Sequence, residues 1–272
     1  MMKLNIQIGC QTFTWEMLGD GWTGSIEDLV DAISQAGYSG IEITDTMIGH
    51  FADNNTGFAK ILANAGLDLI SFAFGSSSGF CEPDSLASDL EMTKKWVGFA
   101  AAFPGALVSL GSATIMSEGT RAKKFDVAAE LYNRAAEIGH DAGVAVAIHP
   151  SSHTNTLLSS REDYDEIFKR LEPDVGWVPD TGHILRGKQN MIDTMSTYRA
   201  RIRYVHLKDV DASGSWQMLG NGICDTKAVI ETALSAPEFN GWLVIEEESK
   251  DAGSNPKAAV ARNRETMRSL GY

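Results

Sequence analysis

Eight times along its 272 residues the chain passes from a short run of β-forming residues into a longer stretch of helical periodicity or composition. The runs fall at 4–10, 40–45, 67–74, 106–111, 144–149, 175–180, 202–209 and 242–248. The clearest helical stretches are 25–36, 53–65, 85–103, 121–142, 160–171 and 226–234, with 256–270 closing the chain. Glycine stands just past three of them, in Ala36-Gly37, Ala65-Gly66 and Ala142-Gly143, where a left-handed residue can end a helix. Strict alternation of strand and helix favours a parallel sheet. Eight such units without a break in composition favour an α/β fold of one domain over 1–272, a closed (β/α)8 barrel rather than an open doubly wound sheet. No G-x-x-x-x-G-K-[ST] occurs. Gly19, Gly21 and Gly24 match the spacing of a dinucleotide fingerprint, but they lie well past the first strand and before a Ser25-capped helix, so they read as a loop.

Successive side chains of a strand face opposite ways. In a barrel one parity packs on the helices and the other fills the interior. The bulky apolar parity marks the helix side. In the fifth run Val144, Val146 and Ile148 mark it, which turns Ala145, Ala147 and His149 inward. In the sixth, Val175 and Trp177 point out, and Gly176, Val178 and Asp180 point in. In the seventh, Val205 and Leu207 point out, and Tyr204, His206 and Lys208 point in. In the eighth, Leu243 and Ile245 point out, and Val244, Glu246 and Glu248 point in; in the second, Ile41 and Ile43 point out and Glu42 in. The inward polar residues therefore gather near the C-terminal strand ends, where barrel enzymes build their sites. Asp180, His206 and Glu246 fall on three consecutive strands and converge on the mouth.

Buried aspartate, histidine and glutamate are costly without a compensating partner. A divalent cation compensates all three, and an oxygen-and-imidazole set suits Mn, Co, Mg or Zn. Each residue also has a structural alternative. His206 could bond a neighbouring strand, Glu246 could pair with Lys208, and Asp180 could cap the turn that follows. The coincidence on three strands favours the metal. His149 is balanced between ligand or acid–base group and structural histidine. His183 reads as a group that supports the site or contacts substrate, ahead of an exposed turn histidine. His153, in the polar loop 151–155, is a weaker candidate. Trp15 offers an apolar face for a sugar ring or a lid that excludes water. His50 and His140 read as solvated.

Composition narrows the partners. Hydrophobic residues make up 43%, enough for a substantial core. A net charge of −13 repels phosphate backbones, so no nucleic acid is expected. The one basic cluster, Arg199, Arg201 and Arg203, leads into a strand and reads as a solvated helix end. Three widely spaced cysteines without a C-x-x-C argue against a disulfide framework and a cysteine-ligated zinc. No apolar leader opens the chain, and no window nears the ~20 apolar residues of a membrane span. A cytoplasmic protein with a small-molecule substrate and no membrane partner is expected, and a homo-oligomer is left open.

These residues sit in phrases that carry a resemblance. They are Gly9-Cys10-Gln11-Thr12-Phe13-Thr14-Trp15, Gly40-Ile41-Glu42-Ile43, Pro179-Asp180-Thr181-Gly182-His183, Tyr204-Val205-His206-Leu207-Lys208-Asp209, Leu219-Gly220-Asn221-Gly222 and Gly241-Trp242-Leu243-Val244-Ile245-Glu246. Over nearly its whole length the chain resembles the xylose-isomerase-like TIM barrel superfamily, the sugar phosphate isomerase/epimerase group, and 201–209 looks most like the inosose dehydratase branch. The resemblance implies a divalent metal on four strand-end residues, of which Asp180, His206 and Glu246 map by motif. The fourth is usually a glutamate on the fifth strand; here the phrase reads Ile148-His149-Pro150. In epimerases of the superfamily two glutamates form an acid–base pair. A histidine in place of one turns the expectation towards elimination or one-base isomerisation, as in the inosose dehydratase branch.

The expected chemistry is loss of a proton beside the carbonyl of a keto-sugar or keto-inositol, giving an enediolate that ends in isomerisation, epimerisation or dehydration. Glu246 is the expected base, His149 or His183 the proton donor, and Lys208 a group that orients a substrate oxygen. Trp15, Glu42 and His183 are the expected substrate contacts. Three alternatives stand beside this: an endonuclease-IV-like enzyme, disfavoured by charge; a non-catalytic sugar-binding barrel or complex subunit; and a lyase acting on oxidised glycosides.

Overall fold

The computed structural model describes residues 5–272, so Leu4 of the first expected strand lies outside the described residues. Eight parallel strands form the sheet: β1 (Gln7–Gln11), β2 (Gly40–Thr44), β3 (Asp68–Phe74), β4 (Leu107–Leu110), β5 (Val146–Ile148), β6 (Gly176–Trp177), β7 (Val205–Leu207) and β8 (Trp242–Ile245). Their order runs β6-β5-β4-β3-β2-β1-β8-β7. The cylinder closes between β6 and β7 through two isolated parallel bridges, Trp177–Ile202 and Asp180–His206.

Side-chain parity is as the apolar pattern requires. Ile41, Ile43, Val146, Ile148, Val175, Trp177, Val205, Leu207, Leu243 and Ile245 belong to the layer between sheet and helices. Ala147, Val178, Tyr204 and Val244 join Ile70, Leu107 and Trp242 in a separate plug inside the barrel. Ile70 enters the plug because β3 advances two residues where β2 advances one, from Leu69 opposite Ile41 to Ser71 opposite Glu42. Gly9 and Gly40 make room for it. A Cβ on Gly9 would lie 2.1 Å from Ile70 Cδ1.

The main helices start and stop on local chemistry. Ser25 and Ser160 form capping boxes with Asp28 and Asp163, and Gly37, Gly66 and Gly143 end their helices at φ of 86°, 69° and 70°. Most expected strands come out shorter, and one splits. β6 stops early because Pro179 has no N–H for the ladder, although its carbonyl still accepts from His206 N at 2.9 Å. The run 202–209 gives β7 and then, at Asp209–Val210, an antiparallel pairing with Trp216–Gln217. The Asp209 carboxylate gathers the N–H groups of Val210, Gly220, Gly222 and Cys224, which accounts for the Leu219-Gly220-Asn221-Gly222 phrase. Among the described residues no helix is long and apolar enough to cross a membrane.

Candidate metal centre and substrate cleft

The strand ends of β5 to β8 bring His149, Asp180, His206 and Glu246 together, with one donor atom from each lying within 4.8 Å of the others. Asp180 follows β6 and caps the short helix Thr181–Arg186, where its Oδ1 accepts from His183 N at 2.7 Å. Its other oxygen, Oδ2, lies 3.5 Å from His149 Nε2 and 3.8 Å from His206 Nδ1. His149 Nε2 and Asp180 Oδ2 are both buried without a hydrogen-bond partner. Leaving two such atoms unpaired is expensive. Two imidazoles and two carboxylates facing one point suit a divalent cation, so the donor set fits the ion that the sequence implied.

His206 is gripped at both ring nitrogens. Nδ1 lies 2.7 Å from Glu246 Oε2, and Nε2 lies 3.0 Å from Glu42 Oε2. Burial alone would lower its pKa; the Glu42 and Glu246 carboxylates instead raise it to about 10. Burial favours neutral acids, yet Lys208 and the neighbouring histidines hold Asp180 and Glu246 well below the usual carboxylate range. Lys208, desolvated but facing three carboxylates, is held well above the ordinary lysine value. Its Nζ lies 2.8 Å from Glu246 Oε1 and 2.5 Å from Glu248 Oε1. The structural alternatives for Asp180, Glu246 and Lys208 are thus real contacts, and they coexist with the cluster.

A cleft of about 270 Å³ opens over the cluster, lined by His149, His183 and Glu246 on one side and by Glu16, Glu42 and Asp45 among others on the opposite side. That is near the lower end of small-molecule sites and suits one ring. His183 is buried in its wall. The backbone N–H of Ser152 donates to its Nδ1 at 3.0 Å, which makes the neutral ring an Nε2–H tautomer. Burial keeps it neutral, well below the usual histidine value. His153 lines the same cleft from the rim. His50 and His140 are exposed, as expected.

Two sequence expectations change. Trp15 is only 4% exposed and packs in the sheet–helix layer, away from any surface that a sugar could stack on. The helix Phe13–Glu16 turns Phe13 and Glu16 to the cleft, three residues apart on one face, and carries Trp15 to the other. Lys208 does not line the cleft; its ammonium is spent on Glu246 and Glu248. Glu42 lines the floor, 1% exposed, with Oε2 on His206. Sequence reasoning missed Asp45 and Glu16, and also Trp216, whose ring lies 5.1 Å from that of His183 with Arg186 and Lys208 over it. A strand-end position for Asp45 was the available signal.

Comparison with known proteins agrees. The xylose isomerase-like TIM barrel family signature matches residues 30–270. An inosose dehydratase from Geobacillus thermodenitrificans (strain NG80-2) is 27% identical over 165 residues, 54% of this chain and 54% of that protein. The chain thus spans about half the length of the curated relatives it matches. A crystal structure of IOLI protein with a binding zinc atom superposes with a TM-score of 0.77 at 14% identity, covering 96% of each chain. The 3-keto-D-glucoside 4-epimerase from E. coli, in its apo form, gives 0.73 at 16%, covering 96% of this chain and 100% of that one. At these identities the two structures speak for the fold. With the signature spanning nearly the whole barrel, the chain belongs to the xylose isomerase-like TIM barrel family.

Proposed function

We propose that the chain is a divalent-metal-dependent enzyme that removes a proton beside the carbonyl of a keto-inositol or keto-sugar and expels water from the neighbouring carbon. The observation that carries this reading is the meeting of two unpaired buried atoms, His149 Nε2 and Asp180 Oδ2, with His206 Nδ1 and Glu246 Oε2 under a ring-sized cleft. Held by Asp180, His206, Glu246 and His149, a divalent ion supplies positive charge where the substrate's oxygens turn negative on proton loss. Mn, Co, Mg and Zn all suit this donor set.

The chain's own groups do the rest. Glu42 fixes the His206 ring with Nδ1 towards the cluster. Glu246 is the base: it lines the cleft at a strand end, and Lys208 on Oε1 fixes the plane of its carboxylate. His183 lines the wall as a neutral ring, with Ser152 on Nδ1 and the Lys208 ammonium 3.4 Å from Nε2, and its ring edge helps to shape the cleft. Lys208 is a positioning residue. The inosose dehydratase relatives support loss of water over reprotonation, and the zinc in the IOLI structure supports a divalent ion.

Metal titration followed by proton exchange tests this. Wild type loaded with Mn²⁺ is expected to exchange the α-proton of 2-keto-myo-inositol with D₂O, and Glu246→Gln to lose about 10²- to 10⁴-fold of that rate. The Asp180→Asn, His206→Gln double variant is expected to take up no ion. A wild type that binds none of the four ions, or exchanges no α-proton on any keto-inositol or ketose, sinks the proposal.

A further inference from the structure

The four clustered residues occupy one half of the barrel mouth, at the ends of β5 to β8. Dehydration has a second requirement. The departing hydroxyl is a poor leaving group and needs a proton. Glu246 serves the substrate from the side of the cluster, so the donor is sought on the opposite wall, at the ends of β1 to β4. Three titratable side chains line the cleft there: Glu16, Glu42 and Asp45. Glu42 is committed to His206 at 3.0 Å. Glu16 accepts from Thr44 Oγ1 at 2.8 Å. Asp45 stands just past β2, is part-exposed to the cleft, and forms no hydrogen bond or ion pair with another side chain among the described residues.

We infer that Asp45 is a catalytic acid, protonating the hydroxyl that leaves from the carbon beside the enolised centre; this rests on the function proposed above. The step balances without any redox partner. The α C–H electron pair enters the enediolate as Glu246 takes the proton. The enediolate then collapses: the carbonyl re-forms, a C=C bond forms between the α- and β-carbons, and the β C–O bond breaks. The leaving oxygen takes its proton from the Asp45 carboxyl and departs as water. Glu246 returns its proton to solvent, from which Asp45 is recharged.

The surroundings of Asp45 suit a group that keeps its proton into mildly acidic solution. Burial and then the Glu16 carboxylate push its pKa up to about 6, against weaker pull from the backbone N–H groups of Asp45 and Thr46. Glu16, from the helix after β1, is the charged group that acts on it. With Glu16 in place, Asp45 keeps its proton to higher pH than an ordinary aspartate.

Wild type, Asp45→Asn and Glu16→Gln, each loaded with Mn²⁺, are given 2-keto-myo-inositol. Asp45→Asn is expected to bind the ion and exchange the α-proton as wild type does, while elimination of water falls by roughly 100-fold or more. In wild type, elimination declines as pH rises through about 6, as the acid form is used up. In Glu16→Gln the neighbouring negative charge is gone, so the decline begins at lower pH. Asp45→Asn eliminating at the wild-type rate, or losing exchange together with elimination, overturns the inference while enolisation stands. A wild type that exchanges but never eliminates overturns the inference and the loss of water proposed above, and leaves enolisation alone standing. A wild type inert in both assays overturns the proposed function, and the inference with it.

Discussion

His206 shows how a residue's role is set by what lies behind it. Glu42 holds the nitrogen that faces away from the cluster, so the other must face in. Such outer partners typically contribute about 10- to 100-fold in metal affinity. Glu42→Gln is therefore expected to weaken Mn²⁺ binding by roughly that factor in calorimetric titration, with the far-ultraviolet spectrum unchanged. Equal affinity would strip Glu42 of its orienting role. The inward direction of Glu42, like that of Asp180, His206 and Glu246, was legible because strand side chains alternate. Its partner was not legible, because 164 residues separate Glu42 from His206 and no local spacing encodes the contact. Trp15 and Lys208 misled for the same reason. An aromatic ring or an ammonium near a strand end looks available until the packing that claims it is known.

Elements were legible where local chemistry dictates them. The helices Arg121–Ala142 and Thr226–Leu234 fall where periodicity puts them, and the three helix-ending glycines adopt the left-handed conformation that their positions implied. The short helices Phe13–Glu16, Thr181–Arg186, Met191–Thr197 and Lys250–Ser254 were missed, since a single turn or two leaves too few apolar repeats to show a period. The bulge in β3 was also invisible, because Ile70 is turned inward by its neighbours rather than by its own sequence. It can be probed directly. Gly9→Ala sets a methyl against Ile70 Cδ1 and is expected to cost about 1–3 kcal/mol in urea denaturation. In an Ile70→Val background, which removes that atom, the same change is expected to cost less. Equal costs in both backgrounds would show that the methyl's penalty does not come from Ile70.

At the scale of the whole molecule, eight repeats of one pattern announced a closed barrel, while the weak point of its closure was hidden. β6 and β7 meet through two bridges, with Arg203 N on Trp177 O at 3.0 Å and His206 N on Pro179 O at 2.9 Å. Proline and an early turn into the antiparallel pairing leave that joint short of a full ladder. A cylinder opens more readily along a thin joint, and amide exchange reads that opening. Asp180 and His206, one of the two bridged pairs, are also two of the four proposed ligands. Mn²⁺ at a hundred times its dissociation constant is expected to slow exchange of the Arg203 and His206 amides by about 100-fold, if they exchange only when the ion has left. Chelation should restore the faster rate, and exchange indifferent to Mn²⁺ would separate the joint from the site. The ion would then be a rivet as well as a reagent, driven through a seam where the hoop is not welded, so that a barrel stripped of its ion would also have a loosened stave.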